Sequence, residues 1–123
     1  MTTIKFTAEI EPRPMPRPRF ALGRTYAPKS IVEYKSMIKS AAMSAMKGNE
    51  PLTGELFCRM KFYRRFKSTS KRFGDADNLF KAVSDACNGV CYSDDAQLTA
   101  VTIEKHSDRN FPRVEVEIIE RRD

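Results

Sequence analysis

Apolar and polar residues alternate along two stretches of this chain and recur at helical spacing along two others. Ile4, Phe6, Ala8 and Ile10 alternate with Lys5, Thr7 and Glu9, which predicts a half-buried strand over 4–10. Leu56, Cys58, Met60 and Phe62 share one face of a second strand over 55–63, and further strands are expected over 98–105 and 113–120. The turn between those last two is S-D-R-N-F-P. Ile31, Tyr34, Ile38, Ala41, Ala42, Ala45 and Met46 recur at roughly helical spacing over 29–47, with Pro28 to open the helix and Gly48 to end it. A second helix is expected over about 78–88, stopped by Gly89.

The segment E-P-R-P-M-P-R-P-R-F holds four prolines within seven residues, which excludes a helix or a central strand there. It reads as an extended basic segment leading through Gly23 to Y-A-P. The order is β-α-β-α-β-β. It predicts an α+β (or α/β) fold: one small domain over 1–123, with a mixed sheet of about four strands covered by two main helices.

The 41% apolar and 31% charged fractions suit a globular chain rather than a disordered one. No run approaches the ~18 apolar residues of a membrane span, and M-T-T-I-K-F-T-A-E-I lacks the apolar region of a signal peptide, so a cytoplasmic location is expected. Cys58, Cys87 and Cys91 do not read as a disulfide framework or, with the sole histidine His106, as a zinc site. Cys58 and Cys87 fall on the apolar faces of their elements.

Charge is divided along the chain. Residues 1–73 carry sixteen Lys/Arg against five Asp/Glu, and residues 74–123 carry six against eleven. Within the acidic part, residues 75–97 read D-A-D-N-L-F-K-A-V-S-D-A-C-N-G-V-C-Y-S-D-D-A-Q. On a helical projection Leu79, Ala82, Val83, Ala86 and Cys87 form an apolar arc. Asn78, Lys81, Asp85 and Asn88 fall within about 80° of the opposite side. Lys81 stands four residues from both Asp77 and Asp85, as an ion-pair partner would. Asp75 and Asp77, if extended, project to one side together. Of the adjacent Asp94 and Asp95, one reaches the same site and the other fixes the turn or supports its neighbour.

Convergent carboxylates repel one another until a cation arrives, and Mg²⁺ takes hard oxygen ligands. A metal-activated water attacking a phosphodiester in line is the chemistry this set suits, with a lysine to stabilise the developing charge. The basic remainder of the chain would attract the polyanion. No Walker-type glycine loop and no Ser/His pairing is visible.

This stretch resembles the signature of the RusA family of Holliday-junction resolvases, roughly D-x-D-N-x-x-K-x-x-x-D-x-L-N-G-x-x-x-x-D-D-x-Q followed by a strand ending in Lys, here Lys105. R-P-R-F and Y-A-P are similar to one branch of that family. Cys87 stands where the family usually has leucine. The resemblance implies a small homodimeric endonuclease that depends on Mg²⁺, with Mn²⁺ able to substitute, and nicks four-way DNA junctions symmetrically. It implies Asp75, Asp77 and Asp95 as metal-binding catalytic acids and Lys81 as the catalytic lysine. Asp94, Asn78 and Asp85 are expected as neighbours of that site.

Simpler readings stand beside these. Asp77 alone would be a helix N-cap, Lys81–Asp85 an ordinary surface pair, and Asp94–Asp95 a turn. Together they leave unexplained the full spacing with Asn78, Asn88-Gly89 and Gln97. Arg64, Arg65, Lys67, Lys71 and Arg72, just before the acids, are expected to meet the DNA backbone as a mobile loop. Arg17 and Arg19, with Arg13, are expected to do so from the proline-rich segment, or else to cover a sheet edge. Phe66 and Phe73 are expected to anchor the loop, with a wedge at the junction as the alternative. A non-catalytic nucleic-acid-binding module and a nuclease for flaps or other branched DNA are the rival functions.

Overall fold

The structure is a computed structural model that describes residues 2–16, 19–21, 24–26 and 29–121, without the side chains of 19–21 and 24–26. Its main sheet has four strands: β1 (Thr3–Ala8), β4 (Glu55–Arg64), β5 (Leu98–Ser107) and β6 (Arg113–Arg121). Two helices, α1 (Lys29–Met46) and α2 (Ala76–Cys87), complete the α+β fold in the order expected. A two-stranded ribbon, β2 (Arg19–Ala21) with β3 (Arg24–Tyr26), interrupts the extended N-terminal segment. Strands of three residues are too short to show an alternation, so no sequence pattern announced them.

The sheet order is β1-β6-β4-β5. β6 is antiparallel to β1 and β4, while β4 and β5 run parallel with α2 as their crossover. The turn after β5 therefore does not close a hairpin. It arches over the end of β4, where the Asp108 amide donates to the Arg64 carbonyl at 2.7 Å. The Asp108 carboxylate accepts the Asn110 and Phe111 amides and pairs with Arg113, which holds that arch in shape and keeps its carboxyl below the usual range.

Burial follows the alternation. Leu56, Cys58, Met60 and Phe62 of β4 and Val114, Val116 and Ile118 of β6 are buried under the helices. Ile31, Tyr34, Ile38, Ala42 and Met46 form the inward stripe of α1. Leu79, Ala82, Val83, Ala86 and Cys87 form that of α2, joined by Ser84, whose hydroxyl lies 2.9 Å from that of Tyr92. Positive φ at Lys47 and Gly48 ends α1, and positive φ at Gly89 turns the chain after α2. The opposite face of the sheet is polar and laced by ion pairs, including Lys5–Glu117 at 3.2 Å and Arg113–Glu115 at 2.9 Å. Tyr63 lies there between His106 and Arg113.

Phe62 sits fully buried on the strand that both neighbours pair with, so Phe62→Ala opens a cavity that no surface group can fill. The expected cost is about 3–5 kcal/mol. Urea unfolding should show it as a lower midpoint at unchanged slope.

Candidate active site and its two anchors

The alternation of β4 runs one residue further than its apolar pattern. Arg64 takes the next inward position and is 9% exposed. Its Nη1 donates to the Phe73 carbonyl at 2.7 Å and to the Arg72 carbonyl at 3.3 Å, and its Nε donates to Glu11 Oε1 at 3.2 Å. The guanidinium also lies over the rings of Phe66 (4.9 Å) and Phe73 (5.9 Å). Arg64 is therefore turned inward and engaged by the protein itself, rather than lying with the exposed basic residues of the loop among which the sequence-based expectation placed it. Strand parity turns it inward, and a carboxylate, two carbonyls and two rings take up its charge and donors.

The loop that Arg64 anchors is built of turns rather than a loose arm. Ser70 N donates to Lys67 O, Phe73 N to Ser70 O and Gly74 N to Lys71 O. Phe73 is fully buried, as an anchor. Arg65, Lys67, Lys71 and Arg72 are exposed on this scaffold. Gly74 has φ 103°, and a Cβ there would stand 3.0 Å from Pro14 Cγ, so the close crossing of the proline-rich segment requires glycine. The same segment buries Pro12 and donates Met15 N to the carbonyl of Asn78, while Arg13 stays exposed. Arg17 and the Arg19 side chain lie outside the described residues.

Directly after this loop, Asp75 is the N-cap residue of α2, but its side chain makes no capping bond. Asp77 stands in the first helical turn, so the paired extended placement does not hold, and Asp77 is not the cap. The helix begins at Ala76, which puts both acids at the positive end of its dipole. Both carboxylates are exposed and, among the described residues, make no ion pair or hydrogen bond.

Lys81, one turn further on, is exposed and likewise unpaired among the described residues. The expected Lys81–Asp85 pair is absent. Asp85 instead meets Lys35 of α1 at 3.6 Å, because α1 packs along α2 and brings a cation from outside the helix. Lys105 Nζ, near the end of β5, lies 5.0 Å from the centroid of Phe73, close to the start of α2.

The second acidic pair has its own anchor. Asp94 caps a short 3₁₀ turn (Asp95–Gln97), its Oδ1 accepting the Ala96 amide at 2.9 Å. Gln97 completes a capping box by accepting the Asp94 amide at 3.0 Å. Gln97 Nε2 also donates to the carbonyls of Leu52 and Gly54, each at 2.9 Å. Asp94 thus fixes the turn, and the Asp95 side chain is exposed. The D-x-x-Q spacing carries the signal for this box, although sequence reasoning gave Gln97 no role.

These anchors lie at opposite ends of β4. Arg64 holds the Asp75–Asp77 end, and Gln97 grips residues 52 and 54, just before β4 begins. Ten strand residues span about 30 Å. The five aspartates of 75–97 are one cluster in sequence, but in space Asp75–Asp77 and Asp94–Asp95 stand apart, and Asp85, on α2, pairs with Lys35. Among the described residues no three His, Cys, Asp or Glu side chains gather to hold a metal ion. The cysteines do not substitute for them: all three are buried, and burial pushes the Cys58 thiol up to about 12.

The pair at the start of α2 does fit one hard cation. Mg²⁺ commonly takes one or two protein carboxylates and completes its shell with water and phosphate oxygens. Two free carboxylates beside an exposed lysine and a ridge of arginine and lysine have that composition.

The family model described as endodeoxyribonuclease RusA matches residues 9–119 of the 123-residue chain, and the chain belongs to that family. Membership makes it an endonuclease of the Holliday-junction-resolving type. No curated protein matches the chain. Among the described residues no helix is long and apolar enough to cross a membrane.

Arg64→Ala should destabilise the fold by about 1–3 kcal/mol, because it strands the Phe73 carbonyl. Arg65→Ala, at an exposed position, should stay within about 0.5 kcal/mol. Chemical denaturation of the two variants checks the difference.

Proposed function

We propose that this chain resolves four-way DNA junctions as a metal-dependent homodimer, each site drawing Asp75 and Asp77 from one copy and Asp95 from the other. The observation that carries this reading is the free carboxylate pair at the start of α2. It adjoins exposed Arg65, Lys67, Lys71 and Arg72 on an anchored loop. A divalent ion held there, Mg²⁺ or Mn²⁺, would supply an activated water and take up charge developing on the phosphate.

The chain's own residues do the rest. The basic ridge draws the DNA backbone toward acids that would otherwise repel it. Lys81 lies one turn along the same side of α2 as Asp77 and stabilises negative charge on the phosphate oxygens. Asn78 lies beside this group, and its carbonyl holds the proline-rich segment in place. Arg17 and Arg19 add positive charge that favours the DNA backbone. Asp94 positions Asp95 through the capping box.

The need for a second copy follows from the separation of the two anchors. One chain presents Asp75–Asp77 and Asp95 at opposite ends of a ten-residue strand, so its own Asp95 does not reach its own pair. A two-fold dimer can exchange those ends, and it matches the two-fold arrangement of scissile phosphates in a four-way junction. Paired nicks with 5′-phosphate and 3′-hydroxyl ends are the products that suit ligation.

Mixing two inactive variants tests this. Asp75→Asn and Asp95→Asn should each lose junction nicking while still binding junction DNA. After exchange of subunits, a mixed dimer holds one site with both substitutions and one site with neither, so nicking should return on one strand. Each site built within a single chain would carry one substitution in every dimer, and no activity would return. Flap, duplex and RNA substrates at one salt concentration separate junction resolution from cleavage of other branched DNA. A chain that binds all of these but cuts none is a binding module.

A further inference from the structure

The arch between β5 and β6 is held from several sides at once. The Asp108 amide donates to the Arg64 carbonyl at 2.7 Å. Asp108 Oδ1 accepts the Asn110 and Phe111 amides at 2.9 and 3.1 Å. Arg113 Nη1 donates to Asp108 Oδ2 at 3.0 Å and to the Phe111 carbonyl at 2.9 Å. That guanidinium is fixed in turn by Glu115 at 2.9 Å and by the ring of Tyr63, 3.6 Å away. Both backbone polar groups of Phe111 are therefore tied into one network rooted in the sheet. Pro112 follows and narrows the backbone choices of Phe111 further.

The side chain on this fixed backbone stands in the open. Phe111 is 71% exposed, more than any other large apolar residue described. A single exposed apolar residue is ordinary in itself. The other phenylalanine and tyrosine side chains described mark this one out. Each of them lies in the core, packs against it or has an arginine over its ring. Among the described residues, the Phe111 ring has no such cover.

The arch also stands at the end of the sheet where the acids begin. Arg64 joins the two: its carbonyl accepts Asp108, and its guanidinium holds the carbonyls of Arg72 and Phe73. The arch, the basic loop and the start of α2 thus leave the sheet together. Arg109, two residues before Phe111, is exposed and makes no ion pair among the described residues. It adds a cation for the DNA backbone beside the ring.

The chemistry of a free aromatic ring selects its ligand. Inside a continuous duplex every base pair is stacked on both sides and offers no face. Where the arms of branched DNA diverge, a base pair at the branch point loses a stacking neighbour. An aromatic side chain can take that neighbour's place, and it does so without regard to sequence because every base has a π-face. Basic residues meet phosphates, which duplex and junction share.

We infer that Phe111 stacks on a base exposed at the branch point of DNA, and that this contact sets branched DNA apart from continuous duplex. The inference rests on the junction substrate proposed above. It involves neither the acids nor a metal ion, so it is tested with a chelator present.

The chain has no tryptophan, so Phe111→Trp carries its one indole. The emission of that variant should fall as a four-way junction is added and stay constant with duplex of the same sequence at the same salt. Phe111→Ala should bind the junction about tenfold more weakly and the duplex as the wild type does. Phe111→Trp should restore junction affinity. Both variants should keep the wild-type unfolding midpoint, since the ring is exposed. Arg109→Ala should instead weaken both DNAs alike and lower the salt dependence.

A Phe111→Ala chain that binds the junction as tightly as the wild type would overturn the contact. So would Phe111→Trp emission that ignores a saturating junction. A Phe111→Ala chain whose mass by light scattering differs from the wild type would assign the ring to a contact between copies instead. Ring effects with no nicking by the wild type in Mg²⁺ would keep the stacking contact and discard junction resolution. Normal nicking with a silent ring would do the reverse.

Discussion

The buried guanidinium of Arg64 is the contact on which the rest of the arrangement depends. It closes the inward face of β4 with a charge rather than an apolar group, at a point where the chain must leave the sheet, make a basic loop and enter a helix. By taking the carbonyls of residues 72 and 73, it fixes where that loop ends and where α2 begins. Asp75 is the next residue but one. A carbonyl–guanidinium bond in a site with little water is stronger than a neutral hydrogen bond and costly to leave unmade. The position of the acids is therefore set by packing behind them, leaving their carboxylates free in front.

The second anchor works by the same logic with a neutral group. Gln97 spends both ends of its amide: its oxygen holds the turn that Asp94 caps, and its nitrogen holds the backbone before β4. Each acidic pair is thus carried by one side chain that reaches back to β4, one at either end of the strand. Between them α2 crosses the sheet with its apolar stripe down. The polar side faces outward, with Asp85 engaged by Lys35 and Lys81 left available. The design keeps like charges apart within one copy, which avoids the repulsion that five aspartates in one place would bring.

Much of this was legible in the residues because strand and helix periods are local. The parity of β4, the inward stripes of both helices and the extent of the motif all follow from spacing. The role of Arg64 was legible in principle, since it shares the parity of Leu56 through Phe62, but its charge suggested DNA. The pairing of Asp85 with Lys35 was not, because it depends on how two helices fifty positions apart come to lie together. Nor was the separation of the acids. A helix of twelve residues carries the chain about 18 Å, so acids close in sequence stand at two places within one copy.

The most direct measurement of the central claim is cleavage of a labelled four-way junction by the wild-type chain, with and without a divalent ion. The account predicts junction binding when a chelator is present. It predicts paired, symmetric nicks when Mg²⁺ or Mn²⁺ is restored, and no nicks from Asp77→Asn under the same conditions. A wild-type chain that binds the junction and leaves it uncut in both metals would contradict it.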